Sequence, residues 1–230
     1  MRPVRSCAIH QPSLLPRLST LAKLYVADIW VVLDDVQFVR RDYQHRARLA
    51  ALDDPKQQQW LSVETHLPYG RATLIHDAQL ADPQRAARRL SQLPAQHYHG
   101  SPHWQLLQSA LEPVVRTVAQ AAGTAAVAEA TTRAMLNLLG WRGTIVRSSA
   151  LAASPGRSVR LADLTNAVGA GTYLCGTGGL RYLDRRPPRR ARHRPPAQHQ
   201  PRRIEGQLGH LPDPNDTLRC FRFAKWLQRR

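Results

Sequence analysis

Two clusters of polar residues have the types and spacing to do chemistry. Cys7-Ala8-Ile9 runs into His10 and Gln11, and Ile29-Trp30-Val31-Val32-Leu33 runs into Asp34 and Asp35. An imidazole can accept or donate a proton near neutral pH. A carboxylate can act as a base, ligate a metal or pair with an arginine. Gln37, Arg40, Arg41, Asp42, Gln44, Arg46 and Arg48 follow the aspartates, and the planar guanidinium fork suits carboxylate or phosphate. Further on, Gly176-Thr177-Gly178-Gly179 could turn backbone N–H groups toward an anion, although it has neither the GxGxxG nor the GxxxxGK[ST] spacing. Each feature also has a plainer counterpart: a structural strand-end histidine, an Asp-Asp turn, a solvated basic face and a tight turn needing positive φ.

The elements that position these groups follow from periodicity. Val4 to Ile9 and Ile29 to Leu33 read as buried strands, and Leu18, Leu21, Leu24 and Tyr25 recur at helical spacing between them. Such a strand–helix–strand unit favours parallel pairing and puts both polar clusters at the carboxyl edge, where open α/β sheets bind ligands. Because neighbouring strand residues point to opposite faces, one of Asp34 and Asp35 is expected to face the site. Pro12 and Pro16 pin the loop after His10. Later segments read as a loop and short strand over 36–49, strands at 60–64 and 73–75, and a helix from Pro83 to Leu93 capped by Asp82. A helix from Trp104 to Ala119 kinked at Pro113, a helix over 125–139 stopped by Gly140, a strand at 144–147, a helix over 159–168 and a strand at 172–175 complete the series. His97, His99 and His103 invite a metal, but they have no neighbouring acid or cysteine and lie in what reads as an interhelical loop. No metal site is expected there.

Composition bounds the rest. A chain of 230 residues suits one substantial domain with a tail. No run of 18 apolar residues suggests a membrane span and no signal-peptide core opens the chain, so a cytoplasmic location is the expectation. Cys7, Cys175 and Cys220 are too scattered for a disulfide framework or zinc ribbon and read chiefly as small buried thiols, with Cys175 a minor nucleophile candidate beside its glycine turn. The charge of +17 is uneven: residues 185–230 hold 13 Lys and Arg against 3 Asp and Glu, together with 7 of the 17 prolines. That composition predicts disorder. A basic tail for nucleic acid or an anionic membrane is one reading, and a GC-rich gene read out of frame from about codon 185 is another. Translation of the other two frames separates them.

Ala8-Ile9-His10-Gln11-Pro12, Leu33-Asp34-Asp35-Val36-Gln37-Phe38-Val39-Arg40-Arg41-Asp42, Trp60-Leu61, and Gly176-Thr177-Gly178-Gly179 with Tyr182-Leu183 together resemble the WbqC-like family across roughly residues 4–184. Arg17-Leu18-Ser19 stands where that family usually has a Trp-Leu-Gly-like stretch, and His45-Arg46 where an Asn-Arg pair is usual. The resemblance implies a transferase of acyl, aminoacyl or glycosyl groups in bacterial surface-polysaccharide (O-antigen) or secondary-metabolite biosynthesis. The expectation is therefore a single α/β domain over 1–184, with a mainly parallel or mixed sheet flanked by helices, and a tail over 185–230. His10, Asp34 and Asp35 form the candidate catalytic set; Gln11, Gln37, Arg40, Arg41, Asp42, Arg46, Gly176, Gly178, Gly179 and Tyr182 form the candidate binding set. The partners would be a small activated donor and a sugar-like acceptor, with no cofactor specified. The alternative is a non-catalytic protein that binds nucleic acid through its tail, with an affinity that falls steeply with salt.

Overall fold

The structure, a computed structural model, describes residues 4–120 and 123–176. Gly178, Gly179, Tyr182 and the stretch 185–230 lie outside the described residues.

Its centre is a four-stranded, wholly parallel sheet. β1 (Ser6–His10) pairs with β2 (Ile29–Val32) on one side and β8 (Thr172–Tyr173) on the other, while β7 (Thr144–Arg147) flanks β2. Every residue of β2 is buried, as befits a central parallel strand covered on both faces. Alternation sorts the side chains into layers. Ala8, Trp30 and Val32 pack with α1 (Leu18–Tyr25) through Leu21 and Leu24, and with α4 (Thr124–Leu138) through Met135 and Leu136. Cys7, Ile9, Ile29 and Val31 face α5 (Arg157–Ala167) through Leu164. The sheet is therefore the middle layer of three, as the strand–helix–strand reading implied.

A second body of packing lies beside the sheet. The hairpin of β3 (Arg46–Ala50) and β4 (Gln58–Ser62) turns Leu49 and Leu61 onto α2 (Pro83–Tyr98) and α3 (Trp104–Val118). Asp82 caps α2 by accepting the Arg85 N–H at 2.8 Å, with Pro83 at the first position, as expected. The helix outruns its expected end and passes through the buried Pro94 to Tyr98; α3 likewise continues through Pro113. Tertiary packing of the apolar faces outweighs the lost N–H at each proline. The strand expected at 73–75 is not one. Leu74 makes an isolated bridge to Gln37 and Ile75–Asp77 is a 3-10 turn. Thr65–His66 (β5) pairs instead with Gln79–Leu80 (β6).

Two local devices hold the amino-terminal edge of β2. Asp28 accepts the Ser6 N–H at 2.7 Å and the Ser6 hydroxyl at 2.8 Å, tying the start of β1 to the start of β2. Gly143 lies so close to the Trp141 indole that a Cβ would fall 2.1 Å from its ring. That indole donates to the Ala27 carbonyl at 2.7 Å.

Candidate functional site

His10 ends β1 on the face opposite Ile9, the face covered by α1. Its Nδ1 lies 2.7 Å from the Gln11 carbonyl oxygen. A carbonyl only accepts, so Nδ1 carries the proton and Nε2 keeps a lone pair. Burial, then the Lys23 charge, lower the imidazole's pKa to about 4, against the opposing pull of the Gln11 carbonyl and Asp42. His10 is therefore a neutral acceptor at neutral pH. Lys23 comes from α1, where side chains tilt back toward the helix amino terminus. That tilt carries its ammonium to the strand ends, where it donates to the Ile9 carbonyl at 3.4 Å. Burial brings its pKa down to about 8, although Cys175 acts in the opposite direction. A Cβ on Gly176 would lie 3.9 Å from Nζ, so the amine sits against the segment that leaves β8. The half-buried Cys175 thiol donates to the Gly176 carbonyl at 3.4 Å. Cys7 is buried beside the Thr165 hydroxyl at 3.6 Å, and burial pushes its thiol pKa up. Its setting is that of a small core thiol.

The aspartates lie at the end of β2, and their partners come from the far side of the chain. Asp34 is only 3% exposed. Its Oδ1 accepts the Ser149 N–H at 3.0 Å and its Oδ2 the Ser149 hydroxyl at 2.8 Å. The Ser148 hydroxyl, 3.1 Å from Asp34 Oδ1, also reaches the Asp35 carboxylate, so one proton serves two acceptors. Ser148 Oγ in turn accepts the Asp34 N–H at 3.2 Å. Asp35 also pairs with Arg160 of α5, rather than with Arg40 or Arg41. Burial pushes the Asp35 carboxyl up, but the bonds from Ser148 and Arg160 and the Arg160 charge outweigh it, and its pKa falls below the usual range. Both carboxylates thus lie just beyond β2 and share the Ser148 hydroxyl, with Asp34 serving the turn after β7 and Asp35 remaining part-exposed.

The loop after His10 is fixed from three directions. Gln11 Oε1 accepts from the buried Gln44 at 2.6 Å, and the Leu14 N–H donates to the Tyr43 carbonyl at 2.8 Å. The Ser13 carbonyl accepts from Thr132 of α4 at 2.8 Å. Between the two prolines Leu15 has a φ of 42°, and its N–H donates to Thr131 at 3.1 Å. A non-glycine residue in that region stores about 1–3 kcal/mol and persists only where its surroundings over-determine it.

The other binding candidates divide. Asp42 lies within electrostatic reach of His10, and its carboxylate accepts the Tyr43 N–H at 2.8 Å. Arg46 is half-buried and donates to the carbonyls of Asp42, at 3.2 Å, and Arg41. Arg40 and Arg41 are exposed. Gln37, which donates to the Arg71 carbonyl at 2.6 Å, and Arg40 line a separate cleft of about 540 Å³ with Phe38, Leu67 and Arg71. His10, Asp34 and Asp35 do not line that cleft. Of the glycines, Gly176 is at the Lys23 edge. His97 bonds Gln59 at 2.8 Å and His99 the Ala95 carbonyl at 3.2 Å. Among the described residues, no three His, Cys, Asp or Glu side chains converge on a metal position.

Sequence reasoning missed Lys23, Ser148, Ser149 and Arg160. For Lys23 a signal existed: a lysine between Leu21 and Leu24 on a helix that joins the two site strands. For the others there was none, because Ser148 and Arg160 are 113 and 125 residues from Asp35 in the chain.

A parallel sheet between helical layers, with a strand-end histidine, a part-buried lysine and a carboxylate–serine–arginine network on its carboxyl edge, defines an α/β protein with a polar site at that edge. Residues 11–192 match the WbqC-like protein family, and the chain belongs to it. No curated protein and no solved structure matches the chain. No described helix is long and apolar enough to cross a membrane.

Proposed function

We propose that the protein is a cytoplasmic transferase that moves an acyl, aminoacyl or glycosyl group from an activated donor to a sugar-like acceptor, in surface-polysaccharide or secondary-metabolite assembly. The observation that carries this reading is the neutral His10 on the carboxyl edge of the sheet. Its Nδ1–H is committed to Gln11, and Nε2 is left to receive a proton or hydrogen bond. Transfer to a hydroxyl or amine needs an acceptor that orients the nucleophile and a base that removes its proton. With a pKa of about 4, His10 is a weak base at neutral pH and serves best as the orienting acceptor. Lys23, with a pKa of about 8, has the proton affinity closer to working pH and is the candidate proton carrier. Asp35, part-exposed beside Arg160, holds the acceptor, while Asp34 maintains the shape of the edge.

The test is turnover followed by mass spectrometry. Nucleotide sugars, acyl-CoAs and amino acids with ATP would be offered as donors against simple amino sugars. His10→Gln should fold like the wild type and lose at least 100-fold in kcat/KM, within the range a positioned acid–base group contributes. Lys23→Met should lose the rise in rate with pH through about 8. Full turnover in both variants would refute the reading.

A further inference from the structure

The outward face of the β3–β4 hairpin carries a second feature, to which the proton-transfer roles above assign nothing. Arg48 stands directly opposite Trp60 in the register, with Arg46 two residues along on the same face. Their guanidinium carbons lie 4.7 and 4.5 Å from the indole centroid. The Tyr43 ring is 6.0 Å from Trp60, centroid to centroid, and Arg17 lies 3.8 Å above it. Three guanidiniums are thus held over two neighbouring rings. Among the described residues none of the three forms an ion pair. Burial and the nearby Arg48 charge depress the Arg17 pKa, with Asp42 opposing.

Gathering like charges without carboxylate partners is unfavourable unless an anion joins them. Stacking on rings fixes the forks in advance, so less side-chain freedom is lost when a ligand arrives. The patch also adjoins the His10 edge. Tyr43 accepts the Leu14 N–H, Gln44 donates to Gln11, and Arg17 immediately precedes α1.

We propose that Arg17, Arg46 and Arg48, stacked on Tyr43 and Trp60, bind the diphosphate of the activated donor. That the diphosphate belongs to a donor rests on the transfer reading; the anion site stands on the stack itself. The diphosphate could belong to a nucleotide-linked donor or to coenzyme A, which share that chemistry.

Calorimetric titration of the full chain with inorganic pyrophosphate, UDP and coenzyme A tests it, with a DNA duplex as the fourth ligand. Arg17→Gln and Arg48→Gln remove single forks at exposed positions, and Trp60→Leu keeps the charges but removes their platform. Arg116→Gln on α3, whose partner is Glu112, is the charge-matched control. The expected result is pyrophosphate binding that weakens about tenfold or more in Arg17→Gln, Arg48→Gln and Trp60→Leu and is unchanged in Arg116→Gln. Tighter binding of UDP or of coenzyme A then assigns the source. Equal losses in all four variants, binding of DNA alone, or no binding would overturn the site. Failure here leaves the His10 variants' effect on turnover untouched. Selective pyrophosphate binding without turnover of any donor would uphold the site and sink the transferase.

Discussion

Replacing His10 by glutamine should change how the stability of the protein depends on pH. Burial and Lys23 hold the folded imidazole's pKa near 4, against 6.5 in an unconstrained chain. Between those values the unfolded chain binds more protons, so stability falls as the pH drops through that window. Above about 6.5 neither state is protonated there and the contribution is flat; below about 4 both are, and it is flat again. Linkage over this interval gives a loss of about 2 kcal/mol between pH 7.5 and pH 5, approaching about 3 kcal/mol at lower pH. Other groups titrate over the same range, so the informative quantity is the difference between wild type and His10→Gln. Urea unfolding at pH 7.5 and 5 measures it. The variant should gain about 2 kcal/mol relative to wild type on going to pH 5, whatever its offset at pH 7.5. A difference that stays constant between the two pH values would refute the claim that His10 is held neutral, and with it the role assigned to Nε2.

Two further substitutions test the scaffold around the edge. Asp34→Ala removes the acceptor for the Ser149 N–H and for the Ser148 and Ser149 hydroxyls; it should cost about 3 kcal/mol and lower Tm by roughly 10 °C, and a loss below about 1 kcal/mol would show that the turn after β7 holds without it. Gly143→Ala drives a Cβ to within 2.6 Å of the Asp28 carbonyl as well as into the Trp141 ring; it should cost about 2 kcal/mol or more by urea unfolding, and an unchanged midpoint would mean that the indole can move aside freely.

Much of the sheet was legible because its information is local. Apolar runs of strand length, a helical repeat between them and the Asp82-Pro83 start of α2 each specify structure within a few residues. The placement of His10 and the two aspartates at strand ends followed from the same pattern. The passage of α2 through Pro94 was not legible, since local propensity argues against it and only packing against α3 and the hairpin overrides it. The strand reading at 73–75 failed for a related reason. Three residues of good strand propensity lacked a partner run and settled into one bridge and a turn.

What the sequence alone determined is the parallel α/β unit, its family and the edge on which polar residues gather. What only the tertiary structure decided is how those residues are paired. It gave Asp35 to Arg160, Asp34 to the Ser148–Ser149 turn, Lys23 to the His10 edge, and three arginines to two aromatic rings. Gln37 and Arg40, by contrast, went to a separate cleft. The physical reason is range. Periodicity and capping act over one or two turns of chain, whereas hydrogen bonds, burial and charge act across a few ångströms of space between segments more than a hundred residues apart.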